Sequence, residues 1–223
     1  DDTVQWGYVH QWTEPPMAQG TFFGAGKILQ DDGTAQIPEQ WIEEWNWYHD
    51  AKHETGFVPD QVELDSDLLA GNAFNSGKVA MANTHQWYTC CLFDGDGNPA
   101  KFWDLAIVPS HDGDVVSKLH ADIFRIHKDT QNPEAAFEVL TYFQDDIALD
   151  LLTVYGAMPA RPDIQADYFT NLDSIFDQGV KWDVIVAGGQ YPDVPSHESW
   201  MPAYLESLTL IEELEGEISG DPT

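Results

Sequence analysis

Apolar positions recur at helical spacing along several stretches of the chain. Across residues 38–54, Trp41, Ile42, Trp45, Tyr48 and Ala51 fall on one stripe, and Pro38 suits a first turn. Glu39, Glu43, Glu44, Asp50 and Glu54 take much of the remainder, which reads as a solvated face. Ser66 or Asp67 is placed to cap a short helix running to Phe74 and closed by Gly77. Asn132-Pro133-Glu134 is a helix start: a cap, a first-turn proline, then an acid near the positive end of the dipole. That helix is expected to turn Ala136, Phe137, Val139, Leu140 and Phe143 inward. A second begins at Asp145 or Asp146 and runs to Val154, stopped by Gly156 and Pro159, and an amphipathic helix covers 204–218. Short apolar runs at 78–82, 103–108, 119–126 and 182–187 read as buried strands. Strands alternating with helices predict an α/β architecture with mainly parallel pairing, and no Gly/Ser linker separates its parts.

Charge narrows the partners. The 223 residues carry 39 acidic and 9 basic side chains, a formal charge of −30, and Arg125 and Arg161 are the arginines. Such a chain cannot neutralise a row of phosphates, so DNA and RNA are excluded as ligands, and anionic lipid and polyanions are disfavoured. A neutral or cationic partner remains. With 43% hydrophobic and 13% aromatic residues the sequence is too apolar for an acidic disordered tail, and it holds no apolar run of membrane-spanning length. Cys90 and Cys91 are adjacent, and neighbours join only through a strained ring, so both read as buried small hydrophobes. A disulfide scaffold and a four-ligand zinc site are excluded. The opening Asp1-Asp2-Thr3-Val4 is neither an initiator methionine nor a signal peptide, and it reads as the middle of a longer chain.

Tryptophan brings in candidate chemistry. Of the 9 tryptophans, Trp41 and Trp45 fit core packing. Others lie in irregular polar segments: Trp6 and Trp12 within residues 5–12, Trp87 after Thr84-His85-Gln86, and Trp200 after Ser196-His197-Glu198-Ser199. An indole beside His, Gln or Glu suits a carbohydrate, whose apolar ring face stacks while its hydroxyls find hydrogen bonds. For Trp12, Trp87 and Trp200, ligand contact and core filling both stay open. His49 and His53 are spaced i, i+4, but the segment lacks the metalloprotease glutamate and a third ligand, so surface histidines are the better reading. Asp94-Gly95-Asp96-Gly97-Asn98 opens like a calcium loop but has Pro99 at the sixth position and Leu105 at the twelfth, so a hairpin turn is expected. No nucleophile motif is present, and with 39 acids some carboxylate pair is inevitable and therefore uninformative. No catalytic residue, metal or cofactor is assigned.

Five segments, in order, resemble family 1 extracellular solute-binding proteins of ABC transporters, the relatives of maltose- and multiple-sugar-binding proteins. These are Ala73-Phe74-Asn75-Ser76-Gly77-Lys78-Val79-Ala80-Met81 followed by Trp87; Trp103-Asp104-Leu105-Ala106-Ile107-Val108-Pro109-Ser110; Asp129-Thr130-Gln131-Asn132-Pro133-Glu134-Ala135-Ala136-Phe137; Tyr155-Gly156-Ala157-Met158-Pro159-Ala160-Arg161; and Ser196-His197-Glu198-Ser199-Trp200. The resemblance implies a fold of the periplasmic binding protein type II kind, two α/β lobes around a cleft, with one lobe incomplete in this carboxy-terminal portion. It assigns 1–118 to the second lobe, 119–168 to a segment of the first, and 169–223 to a return to the second. Trp12, Trp87 and Trp200 then stack a sugar from one wall, with His85 and Glu198 beside them, and Tyr155 comes from the opposite lobe. The implied function is capture of a neutral mono- or oligosaccharide by hinge closure and delivery to a membrane permease, by a periplasmic or extracellular monomer anchored, if at all, through a missing N-terminal segment. The alternatives are a carbohydrate-active enzyme or accessory carbohydrate-binding module, or a transport role with a polyol, peptide or cationic amine as ligand.

Overall fold

The computed structural model describes residues 5–11, 16–69, 72–198 and 201–219. The chain runs β1 (Trp6–His10), α1 (Pro16–Gly20), α2 (Glu39–His53), α3 (Gln61–Leu64) and β2 (Val79–Asn83). It continues through α4 (Pro133–Gln144), α5 (Ala148–Tyr155), α6 (Gln165–Ile175), α7 (Asp183–Gly188) and α8 (Tyr204–Ser219). Two compact units share these elements: one holds Asp1–His85, Ala106–Leu119 and Asp183–Thr223, the other Gln86–Leu105 and His120–Trp182.

In the first unit β1 and β2 pair in parallel, with Trp6 opposite Val79, Tyr8 opposite Met81 and His10 opposite Asn83. Strand β1 lies in a stretch read from sequence as irregular and polar; it is a strand because its two faces are both covered. Trp6 and Val9 pack with Leu69, Ala73 and Val79, and Tyr8 packs with Ala51 and Val58. Trp41 and Trp45 are core residues, as their spacing predicts, against Met17 of α1 and Leu208, Ile211 and Leu214 of α8. Glu44 departs from the reading of a solvated face. Its side chain is buried, 2.9 Å from His10 Nε2, and that imidazole lies 3.2 Å through Nδ1 from the Tyr8 hydroxyl. Burial, and then the Glu44 charge, push the Tyr8 hydroxyl far above its usual range.

The helix expected from Ser66 to Phe74 is replaced by an earlier, shorter one. Asp60 and Glu63 form a capping box that starts α3, and Ser66 donates back to the Glu63 carbonyl at its end instead of capping a new helix. A separate 3-10 turn, Phe74–Ser76, closes on Gly77 at φ +68.

The second unit is built on aromatic edges. Trp103 lies 5.1 Å from Phe176 and 5.8 Å from Trp182 between ring centroids, and the Trp182 indole donates to Asp173. Lys101 pairs with Asp177 and Lys181 with Asp104, tying the segment around Trp103 to the chain that follows α6. Residues 94–98 make the expected hairpin turn: the Asp94 carboxylate accepts from the Asp96 and Asn98 amides beneath a Phe93–Pro99 bridge. Helix α5 ends on Gly156 as read.

Other expectations fail for physical reasons. Residues 103–108 and 119–126 are not strands, because no ladder partner for them exists among the described residues; Leu119, Ile123, Phe124 and Ile126 stay exposed. Residues 183–188 form helix α7, led by Asp183 at its positive end, with Trp182 left behind in the aromatic core. Helix α4 begins at Pro133 and buries no side chain fully: Ala136, Leu140 and Phe143 are half-buried, whereas Phe137 and Val139 are exposed. Cys90 is exposed and Cys91 half-buried, so neither fills a core.

Candidate functional site

The second unit assembles Trp87 and Tyr155. Trp87 is half-buried in the 3-10 turn Gln86–Cys91, and Tyr155 is the last residue of α5 and largely exposed. Gly156 joins them. It takes φ +92, and a Cβ there would stand 2.7 Å from the Trp87 carbonyl oxygen and 2.5 Å from Thr89 Oγ1. Only glycine permits this approach of the helix end to the turn.

Hydrogen bonds fix the arrangement. The buried Tyr168 hydroxyl donates to the Gly156 carbonyl at 2.7 Å and accepts from Gln86 Nε2 at 2.7 Å. Burial raises the Tyr168 hydroxyl well above its ordinary range, so it remains a donor at physiological pH. The Tyr155 hydroxyl donates to Asp122 Oδ2 at 2.8 Å, and this carboxylate, with burial and its charge adding, raises the Tyr155 pKa. The turn that carries Gln86 and Trp87 is thereby held against the end of α5, where Tyr155 is bonded to Asp122; indole and phenol offer apolar faces, and carboxylate and amide offer acceptors and donors for hydroxyl groups.

His85 and Glu198 belong to the first unit. His85 follows β2 and is half-buried. Glu198 Oε1 accepts from the Tyr204 hydroxyl at 2.6 Å and lies 3.7 Å from His197 Nε2. His197 is buried, with Nδ1 3.2 Å from Asp193 Oδ2, and Asp193 also accepts from the Leu119 amide at 3.1 Å. Burial acts to raise the Asp193 pKa, but the His197 and Leu119 hydrogen bonds outweigh it and hold the carboxyl below its ordinary value. An ionised Asp193 makes His197 Nδ1 the donor, and this orients the imidazole beside Glu198.

Trp12 and Trp200 lie outside the described residues. Of the remaining candidates, Trp87 and Tyr155 fall in the same compact unit. Three residues of this arrangement carried no assignment from the sequence: Gln86, Asp122 and Tyr168. Gly156 was legible as a helix stop, but its contact with Trp87 was not. Asp122 is far from Tyr155 along the chain, and nothing in the local pattern links them.

Comparison with known proteins places the chain. Residues 3–148 match the family of bacterial extracellular solute-binding proteins. No curated protein matches the sequence. Among solved structures, an ABC substrate-binding protein from Listeria monocytogenes, in complex with cycloalternan, aligns at a TM-score of 0.69 and 16% identity. The alignment covers 98% of this chain and 55% of that one, so this chain spans little more than half the length of its structural neighbour. The fold is therefore the α/β fold of ABC solute-binding proteins, and the chain belongs to the bacterial extracellular solute-binding protein family.

Proposed function

We propose that this chain binds a neutral mono- or oligosaccharide as part of the substrate-binding component of an ABC importer, with hinge closure as the step that a membrane permease reads. The observation that carries the reading is the close approach of Gly156, which follows Tyr155, to the backbone of Trp87, with the Tyr155 hydroxyl bonded to Asp122 and Gln86 bonded to Tyr168 in the same unit. Aromatic faces stack on the apolar side of a pyranose, while carboxylate and amide groups take its hydroxyls. A charge of −30 disfavours anionic solutes. The cycloalternan held by the Listeria neighbour favours carbohydrate over peptide or amine. Trp12, His85, Glu198 and Trp200 are proposed as further ligand contacts. Among the described residues no helix is long and apolar enough to cross a membrane, and the family is extracellular.

The test is a titration of neutral oligosaccharides followed by intrinsic fluorescence and calorimetry. Binding should change tryptophan emission, and the sugar should be recovered unchanged after long incubation. Hydrolysed sugar would overturn the transport reading, and the absence of binding by any neutral saccharide would overturn the ligand class.

A further inference from the structure

The adjacent cysteines close the turn that carries Trp87. Cys90 Sγ and Cys91 Sγ are 3.0 Å apart with no bond between them, and Cys90 is exposed. A disulfide needs about 2.05 Å between sulfurs, so the pair is roughly 1 Å from bonding distance. We infer that Cys90 and Cys91 are a vicinal dithiol that a low-molecular-weight disulfide, such as oxidised glutathione, converts reversibly to a ring disulfide.

The chemistry balances in two exchanges. One cysteine thiolate attacks a sulfur of glutathione disulfide; that S–S bond breaks, a mixed disulfide forms on the protein, and one glutathione thiolate leaves. The neighbouring thiolate, held at contact distance, attacks the protein sulfur of the mixed disulfide and expels the second glutathione. The protein gives up two protons and two electrons, and the oxidant becomes two glutathione thiols. Because the second step is intramolecular, it outruns capture of a second glutathione.

Adjacency makes the bond a switch and not a staple. Successive Cα atoms are about 3.8 Å apart across a trans peptide, below the usual range of about 4.4–6.8 Å for a disulfide. A bond closed over that span is strained and easily reduced. Burial, and then the Cys91 hydrogen bond and charge, push the Cys90 thiol up to about 11. Its thiolate is therefore scarce at neutral pH, and oxidation should speed up as pH rises. The family is extracellular, where disulfides form and persist. Thr89 of the same turn lies against the Gly156 position, so closing the ring acts on the surface that presents Trp87 and Tyr155. That last consequence rests on the proposed ligand surface; the thiol chemistry does not.

The experiment is intact-mass analysis after incubation with oxidised glutathione at about pH 8.5, where ordinary thiols begin to ionise. The unsubstituted protein should lose the mass of two hydrogens, carry no glutathione, and return to its starting mass with dithiothreitol. Cys90→Ser and Cys91→Ser should each retain one glutathione. A stable glutathione adduct on the unsubstituted protein, a disulfide-linked dimer, or an unchanged mass would overturn the inference. Tryptophan emission of the oxidised protein reads the coupling separately. A shift absent from both serine variants is expected, and no shift would sever the ring from the Trp87 surface while leaving the dithiol chemistry standing.

Discussion

Replacing Gly156 with alanine separates backbone strain from close packing. At φ +92 any L side chain is strained, by about 1–2 kcal/mol. The added methyl would also stand 2.7 Å from the Trp87 carbonyl oxygen and 2.5 Å from Thr89 Oγ1. Thr89 can rotate aside, but the Trp87 carbonyl is backbone, so the turn Gln86–Cys91 must shift. Overpacking of this kind costs about 1–3 kcal/mol. The Tyr168 hydrogen bond to the Gly156 carbonyl is strained by the same movement. The expected loss is therefore about 2–5 kcal/mol. Gly179 is the internal control: it lies in the same unit, has φ +82, and has open space where a Cβ would go. Its alanine variant should lose only the strain, about 1–2 kcal/mol. Urea unfolding followed by tryptophan fluorescence measures both. Equal losses in the two variants would refute the packing argument and remove the reason for holding Trp87 and Tyr155 together.

Other expectations follow from charge and burial. Glu44→Ala should cost about 2–4 kcal/mol by stripping His10 Nε2 of a buried partner and leaving a cavity, with Glu44→Gln costing less; equal urea midpoints for Glu44→Ala and the unsubstituted protein would contradict this. The folded Asp193 carboxyl sits below its ordinary value, so its contribution is complete above about pH 4 and is lost as pH falls through the folded value. The stability gap between the unsubstituted protein and Asp193→Asn should accordingly be wide at neutral pH and shrink in acid; an unchanged gap at about pH 3 would contradict the linkage. Melting temperature should rise with sodium chloride, since the charge of −30 repels itself and the screening length falls from about 10 Å at 0.1 M to about 3 Å at 1 M. A flat profile would show that the charges are already too dispersed to matter.

Where a local pattern determined the outcome, the sequence was readable. The stripe through Trp41 and Trp45 and the Pro133 start gave α2 and α4 because helices satisfy their own backbone. The Asp94 turn was readable because its hydrogen bonds are all local. Strands are different, because an apolar run becomes a strand only where another chain segment supplies a ladder. Val79–Asn83 has one in β1, and 119–126 has none among the described residues. Polar character misled at α2. Glu44 was read as part of a solvated face, yet it and His10 each make the other's burial tolerable. Helix α4 was misread in part in the other direction, at Phe137 and Val139, since a stripe shows which face is apolar but not how much of it is covered. At the candidate site, Trp87 and Tyr155 were singled out by residue type and by resemblance. The contacts that unite them, through Gly156, Tyr168, Gln86 and Asp122, span up to 82 positions and leave no local trace.

Trp87, whose backbone lies against Gly156, is the proposed stacking surface for a neutral saccharide. Calorimetric titration of linear and cyclic glucose oligosaccharides into the unsubstituted protein and Trp87→Ala tests it most directly. Circular dichroism confirms that both are folded. Saturable binding is expected, weakening by about 1–3 kcal/mol, roughly fivefold to more than a hundredfold, when the indole is removed. Identical dissociation constants for the two proteins would contradict it.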